Sequence, residues 1–172
     1  MDMRLDPVLA GARAIVKINE WINEKGLGSV ATVGYVKAIP GGINIVANDF
    51  EFSVDIRSKD NGIIKEMVDR IKEFLDYEVN NYTGGKGSFE YDKTLEVLPV
   101  AMTEEYLETM AKGCDKHGYS YTRMISGAGH DSLAIGPVIP TVMLFVPSKD
   151  GCSHNMNEYT SYEQFTKATV IA

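Results

Sequence analysis

The sequence is poor in the residues that define whole classes of protein. It has two cysteines, Cys114 and Cys152, in 172 residues, too few for the disulfide framework of a small secreted scaffold. It has no clustered Lys and Arg. Basic residues number 17 against 24 acidic ones, for a net charge of -7, whereas nucleic-acid binding needs concentrated positive charge to neutralise phosphates. Uninterrupted apolar stretches such as Val142 to Val146 fall far short of the roughly 20 residues that span a bilayer. The opening residues carry Asp2, Arg4, Asp6 and Arg13 without a long apolar run, so no signal peptide is expected. These features predict a cytoplasmic protein without nucleic-acid or membrane partners. What remains, 44% hydrophobic and 24% charged residues, is the composition of a globular chain able to bury a core.

The first part reads as helix, two strands, helix. Asp6-Pro7 places a capping acid before a proline at the first helical position. Val8, Ile15, Ile18 and Ile22 follow at helical spacing, and Gly26 ends the helix. Ser29 to Ala38 and Gly42 to Ile56 are strand-like and separated by the turn signal Pro40-Gly41-Gly42. Within the second, Phe50, Phe52, Val54 and Ile56 alternate with Glu51, Ser53 and Asp55, the signature of a half-buried strand. Asp60-Asn61 caps a second helix bearing Ile64, Met67, Val68, Ile71 and Leu75, and Ser88 to Tyr91 begins a further strand. The order α-β-β-α-β, with one strand added before it, is the split βαβ sandwich.

Beyond Pro99 the spacing predicts a helix from Thr103 to Gly118, a strand over Tyr119 to Met124, and a glycine-bearing loop from Ile125 to Asp131. A buried strand follows over Val138 to Val146, and Ser161-Tyr162-Glu163-Gln164 forms a capping box before a short last helix.

Few residues offer chemistry. His117 sits at a helix end, where a cation suits the dipole, and is expected to be structural. His130 and His154 lie among small and polar residues after strand-sized elements. Ser126 to Asp131 could present backbone N–H groups to an anion, although an ordinary tight turn is the simpler reading. A zinc site needs three or four ligands, and neither histidine has a second His or Cys at helpful local spacing. Asp55 and Arg57 share one face of their strand and are expected to pair.

Several segments together resemble the M20-type metallo-amidohydrolases. Thr32-Val33-Gly34, Pro40 through Asn44-Ile45-Val46, and Val54-Asp55-Ile56-Arg57 are similar to the strands of that family's lid. Met124-Ile125-Ser126-Gly127-Ala128-Gly129-His130-Asp131, Phe145-Val146-Pro147-Ser148 and Gly151-Cys152-Ser153-His154-Asn155 resemble the branch of allantoate amidohydrolases and N-carbamoyl-L-amino-acid hydrolases. The opening Met1-Asp2-Met3-Arg4-Leu5-Asp6 resembles the segment that follows the lid's histidine-glycine motif. Ala47 stands where the family usually has proline.

The resemblance implies hydrolysis of ureido or amide C–N bonds with two divalent ions, zinc or manganese, activating a bridging water. It implies His154 as a metal ligand, and Arg57 and Asn44 as lid residues gripping substrate in the partner subunit of a homodimer. It further implies Gly127, Ala128 and Gly129 as a backbone contact to a small-molecule substrate, with His130, Asp131 and Glu158 in support. The fold expected is α+β: residues 1–98 as a ferredoxin-like lid lacking its first strand, and 99–172 as the C-terminal part of an α/β catalytic domain. Most of the family's metal ligands, the general base and the lid histidine match nothing in this sequence. The expectation is therefore a fragment that is inactive alone and binds no metal tightly. A non-catalytic dimerisation module, or a fragment of an M20 aminopeptidase, are the alternatives.

Overall fold

The computed structural model describes residues 3–26 and 28–172. Met1 and Asp2 of the opening segment lie outside the described residues. The chain forms two compact units, Met1–Pro99 and Val100–Ala172.

In the first unit, helix α1 spans Pro7–Lys25. The Asp6 carboxylate accepts from the Val8 and Leu9 N–H groups at 3.0 and 3.1 Å, satisfying donors the helix itself cannot. Gly26 ends it in the left-handed conformation (φ 57°) and donates its N–H to Ile22. Strands β1 (Val30–Ile39) and β2 (Asp49–Arg57) form an antiparallel ribbon, with Val30 opposite Arg57 and Ile39 opposite Asp49. Its register shifts between Thr32 and Tyr35. Helix α2, Asn61–Tyr82, starts from an Asp60 cap that accepts from Gly62 N at 2.7 Å.

Ala10, Ala14 and Ile18 form the buried stripe of α1, and Met67 and Ile71 that of α2. Full burial of Ile18 and Met67 contributes about 1.5–3 kcal/mol each. Phe50, Phe52, Val54 and Ile56 turn to the half-buried face of β2, while the alternate residues are exposed. Helix α1 packs on both strands and on α2, whereas α2 reaches only β2. The approach of α1 is close. A Cβ on Gly11 would lie 2.2 Å from a ring carbon of Phe50. Between the helices, the Glu78 carboxylate is 1% exposed and is met by Arg13 at 3.3 Å and by Lys17. The same two cations lie over the rings of Tyr82 and Tyr77. Pairing is what permits a carboxylate there.

The second expected strand is shorter than its sequence suggests. Gly42 to Asn48 belong to the connector, which Asn48 closes by donating its N–H to Ile39 at 2.8 Å. Ser88 to Tyr91 are not a strand either, so the order is α-β-β-α. A strand exists only where a neighbour accepts its backbone bonds, and this segment has none among the described residues.

In the second unit, α3 spans Glu104–His117 and ends at left-handed Gly118 (φ 69°). Thr103, just before it, bonds Thr141 twice, N–H to carbonyl at 2.8 Å and Oγ1 from N–H at 2.9 Å. Helix α4 is one turn, Ser132–Ile135, and α5 is Tyr162–Ile171, with Ser161 Oγ accepting from Gln164 N at 3.3 Å. Helices α3 and α5 meet, and a Cβ on Gly113 would lie 3.4 Å from Ile171. The strands expected at 119–124 and 138–146 are absent from the sheet, which holds β1 and β2 alone among the described residues. Val138 and Phe145 are 81% and 47% exposed. For 119–124 the cause is the same, strand-forming sequence with no strand beside it, whereas Val138 and Ile139 donate their N–H groups to the Ile135 carbonyl in the turn after α4. The result is a mixed helical molecule with a small antiparallel sheet.

Candidate functional site

Arg57 ends β2 on the face turned away from the helices. Its Nε and Nη2 donate to the two carboxylate oxygens of Asp55 at 3.0 and 2.7 Å. Residues i and i+2 of a strand share a face, so the fork-to-fork pair follows directly from the Asp-Ile-Arg order. The hydrogen bond from the guanidinium holds the Asp55 carboxyl below its ordinary value, against the opposing effect of burial, and charge adds a smaller lowering. Half of the Arg57 side chain is exposed. Asn44 lies in the 40–48 connector, and the register puts that connector at the other end of the ladder from Arg57. Eight residue steps of β2 at roughly 3.3 Å each make about 26 Å of ribbon. The hairpin therefore does not gather Arg57 and Asn44 at one end.

In the second unit, Ser126 folds its hydroxyl over the glycine loop. Oγ accepts from Ala128 N at 3.2 Å and lies 3.3 Å from Ala128 O. Gly127 and Gly129 are exposed and Ala128 is half-buried. Asp131 precedes α4 without a side-chain capping bond, and its carbonyl accepts from Ala134 and Ile135. The His130 ring is half-buried, with its Nδ1 shielded from solvent and without a partner.

His154 is exposed and held in a left-handed backbone conformation, φ 56°. For a residue with a Cβ this conformation costs on the order of 1–2 kcal/mol, and such strain concentrates at functional positions. Glu158 accepts the His154 N–H at 2.9 Å, and Lys149 N bonds Tyr159 O at 2.8 Å across the base of the loop. Ser153 Oγ lies 2.7 Å from His154 Nδ1. A hydroxyl accepting from Nδ1–H leaves the Nε2 lone pair free to face a metal. The sequence alone does not single out Ser153, whose one signal there is a hydroxyl next to the histidine. His117 stacks on Tyr119 at 5.8 Å.

One imidazole does not make a metal centre, which takes three or four donors. Among the described residues no group of three or more His, Cys, Asp or Glu side chains is placed to hold an ion. The described donors do not fit a resident metal by themselves.

The model of the peptidase family M20/M25/M40 matches residues 7–172. The chain belongs to this family. In this M20 chain, similarity runs over nearly the whole length. It is 30% identical over 171 residues to an N-carbamoyl-L-amino-acid amidohydrolase of Paenarthrobacter aurescens, covering 99% of the chain and 41% of that protein. It is 30% identical to the allantoate amidohydrolase of Escherichia coli K12, covering 94% and 38%. The crystal structure of an amidase of the hydantoinase/carbamoylase family from Burkholderia vietnamiensis is similar at a TM-score of 0.86 and 26% identity, covering 99% and 41%. The M20 chain thus spans about two fifths of the length of the relatives it matches. No helix among the described residues is long and apolar enough to cross a membrane.

Proposed function

We propose that this chain supplies the substrate-gripping surface and one metal ligand of a metal-dependent amidohydrolase acting on ureido or amide C–N bonds of allantoate or N-carbamoyl-L-amino acids. The observation that carries the reading is His154. It is a strained, exposed, left-handed residue, bonded through its N–H to Glu158 and through Nδ1 to Ser153, which leaves Nε2 for a ligand role. In the assembled enzyme His154 contributes one donor to a two-metal site of zinc or manganese. Arg57 takes the substrate carboxylate with its planar fork, and Gly127 to Gly129 line the substrate, with Asp131 and Glu158 supporting their loops. Arg57 and Asn44, at opposite ends of one hairpin, act on substrate in a homodimer of lid units.

Residues 1–98 form that lid, and 99–172 a part of the catalytic domain. A split βαβ arrangement for the lid is supported by width. Two adjacent helices cover about 20 Å, whereas two strands fill only about 10 Å.

Binding of an N-carbamoyl-L-amino acid, followed by NMR, should perturb the Arg57 side chain and weaken at least about tenfold in Arg57→Ala, as loss of a charge-assisted contact requires. Unchanged binding removes Arg57 from the site. For the chain by itself the scarcity of gathered donors favours a second reading, an inactive dimerisation module. Calorimetric titration with zinc or manganese decides between them, since tight stoichiometric uptake contradicts the module.

A further inference from the structure

Between α1 and α2 lies an open groove of about 550 Å³, within the size range of small-molecule sites. Its charges balance. Lys25, Lys65 and Arg70 face Glu66, Asp69 and Glu73, and Trp21 adds an aromatic surface from α1. Most of these charges are already engaged. Lys25 Nζ lies 3.5 Å from Glu66 and 5.8 Å from the centre of the Trp21 ring. Arg70 pairs with Glu73 and lies over the Phe74 ring. Lys65 and Asp69 are exposed and, among the described residues, make no hydrogen bond or ion pair. Their order disfavours one. On a helix an acid one turn before a base pairs better than the reverse, which opposes the helix dipole, and here the lysine comes first. The groove therefore presents one unpaired cation and one unpaired anion a single turn apart, with about 6 Å between their Cβ atoms.

We propose that this groove binds a free α-amino acid, with Lys65 taking the carboxylate, Asp69 the ammonium and the Trp21 indole an apolar side chain. Charge selects the ligand. A lone anion or a lone cation is attracted by one of the two residues and opposed by the other, whereas a zwitterion satisfies both. Both contacts are open to water, which sets the affinity at roughly millimolar. A free amino acid is also what remains when an N-carbamoyl amino acid loses its carbamoyl group. The ligand class thus connects the groove to the proposed reaction, although none of its residues takes part there.

Trp21 is the single tryptophan of the chain, so its emission reports on this groove alone. Titrating the full chain with L-leucine should change that emission with a roughly millimolar midpoint. N-acetyl-L-leucine lacks the ammonium and L-leucinamide lacks the carboxylate, and each should bind about threefold to fivefold more weakly, as loss of one exposed charge contact allows. Asp69→Asn should weaken L-leucine by the same factor and leave N-acetyl-L-leucine unchanged. Lys65→Gln should weaken L-leucine likewise and leave L-leucinamide unchanged. Both positions are exposed, so neither substitution endangers folding. Constant emission up to about 50 mM L-leucine overturns the proposal. An equal response to all three compounds also overturns it, as does unaltered L-leucine binding in either variant. Arg57 takes no part in any of these measurements, so the functional reading and this one fail separately.

Discussion

Asp55 and Arg57 show how much one residue pair can do without being a source of stability. Both side chains are about half exposed, where ion pairs are screened by water and salt and add little. What the pair supplies is orientation, since a bidentate contact fixes the plane of the guanidinium. Asp55→Asn should therefore leave the thermal midpoint nearly unchanged while weakening carboxylate binding, measured by NMR titration against the wild type. A large drop in melting temperature would show that the pair is structural instead. The pH dependence follows from sign. The folded carboxyl of Asp55 sits below its unfolded value because Arg57 donates to it. Its contribution is complete above about pH 4 and fades as pH falls through the lowered folded value. Arg57 should be equally oriented at every pH near neutrality, and acid titration should loosen it only below the ordinary carboxylate range. His154 presents the opposite case, local strain that Glu158 and Ser153 hold in place. That strain was not legible in the sequence, because a left-handed histidine looks like any other until its loop is closed.

Among the elements, α1 and β2 are joined most tightly at Gly11. A Cβ there would be 2.2 Å from Phe50, a distance no packed pair tolerates, so Gly11→Ala must displace the ring. Overpacking of this kind costs about 1–3 kcal/mol, more than the helix propensity gained from alanine returns, about 1 kcal/mol at most. Denaturant melts should show Gly11→Ala destabilised, and Phe50→Leu should relieve the penalty in the double variant. Additive effects in that cycle would mean the two residues do not share space. The example also marks what was legible. Asp6, Asp60, Gly26, Gly118 and Ser161 announced helix ends, because capping is decided within a few residues. The alternation of Phe50, Phe52, Val54 and Ile56 announced β2 and its buried face. Tyr119 to Met124 and Val138 to Val146 carry equally good strand residues yet form none, since pairing is a non-local property that composition cannot supply. The candidate site divides the same way. Asp55 with Arg57 was readable from spacing of two, whereas the separation of Arg57 from Asn44 depends on hairpin register and was not.

At the scale of the whole molecule, apolar surface and charge oppose each other. In the second unit Val138 is 81% exposed, Ile139 57% and Phe145 47%, all within the 138–146 stretch that reads as strand, and Tyr159 is 57% exposed. Exposed apolar surface of this kind, and unpaired strand-forming segments, favour association. Against it stands a net charge of -7, which makes copies repel at low ionic strength. Repulsion between surface charges decays over about 10 Å at 0.1 M salt, whereas burial of apolar area is not weakened by that amount of salt. The chain should therefore self-associate beyond a dimer, and more strongly at about 0.15 M salt than at about 0.01 M. Sedimentation velocity at the two salt concentrations measures this directly. Replacing Val138 and Phe145 with lysine should shift the distribution toward smaller species by removing apolar surface. The same change lowers the negative charge, so a purely electrostatic cause predicts the reverse shift for this variant. A clean monomer at both salt levels, or association that weakens as salt rises, would remove apolar association as an account of this surface.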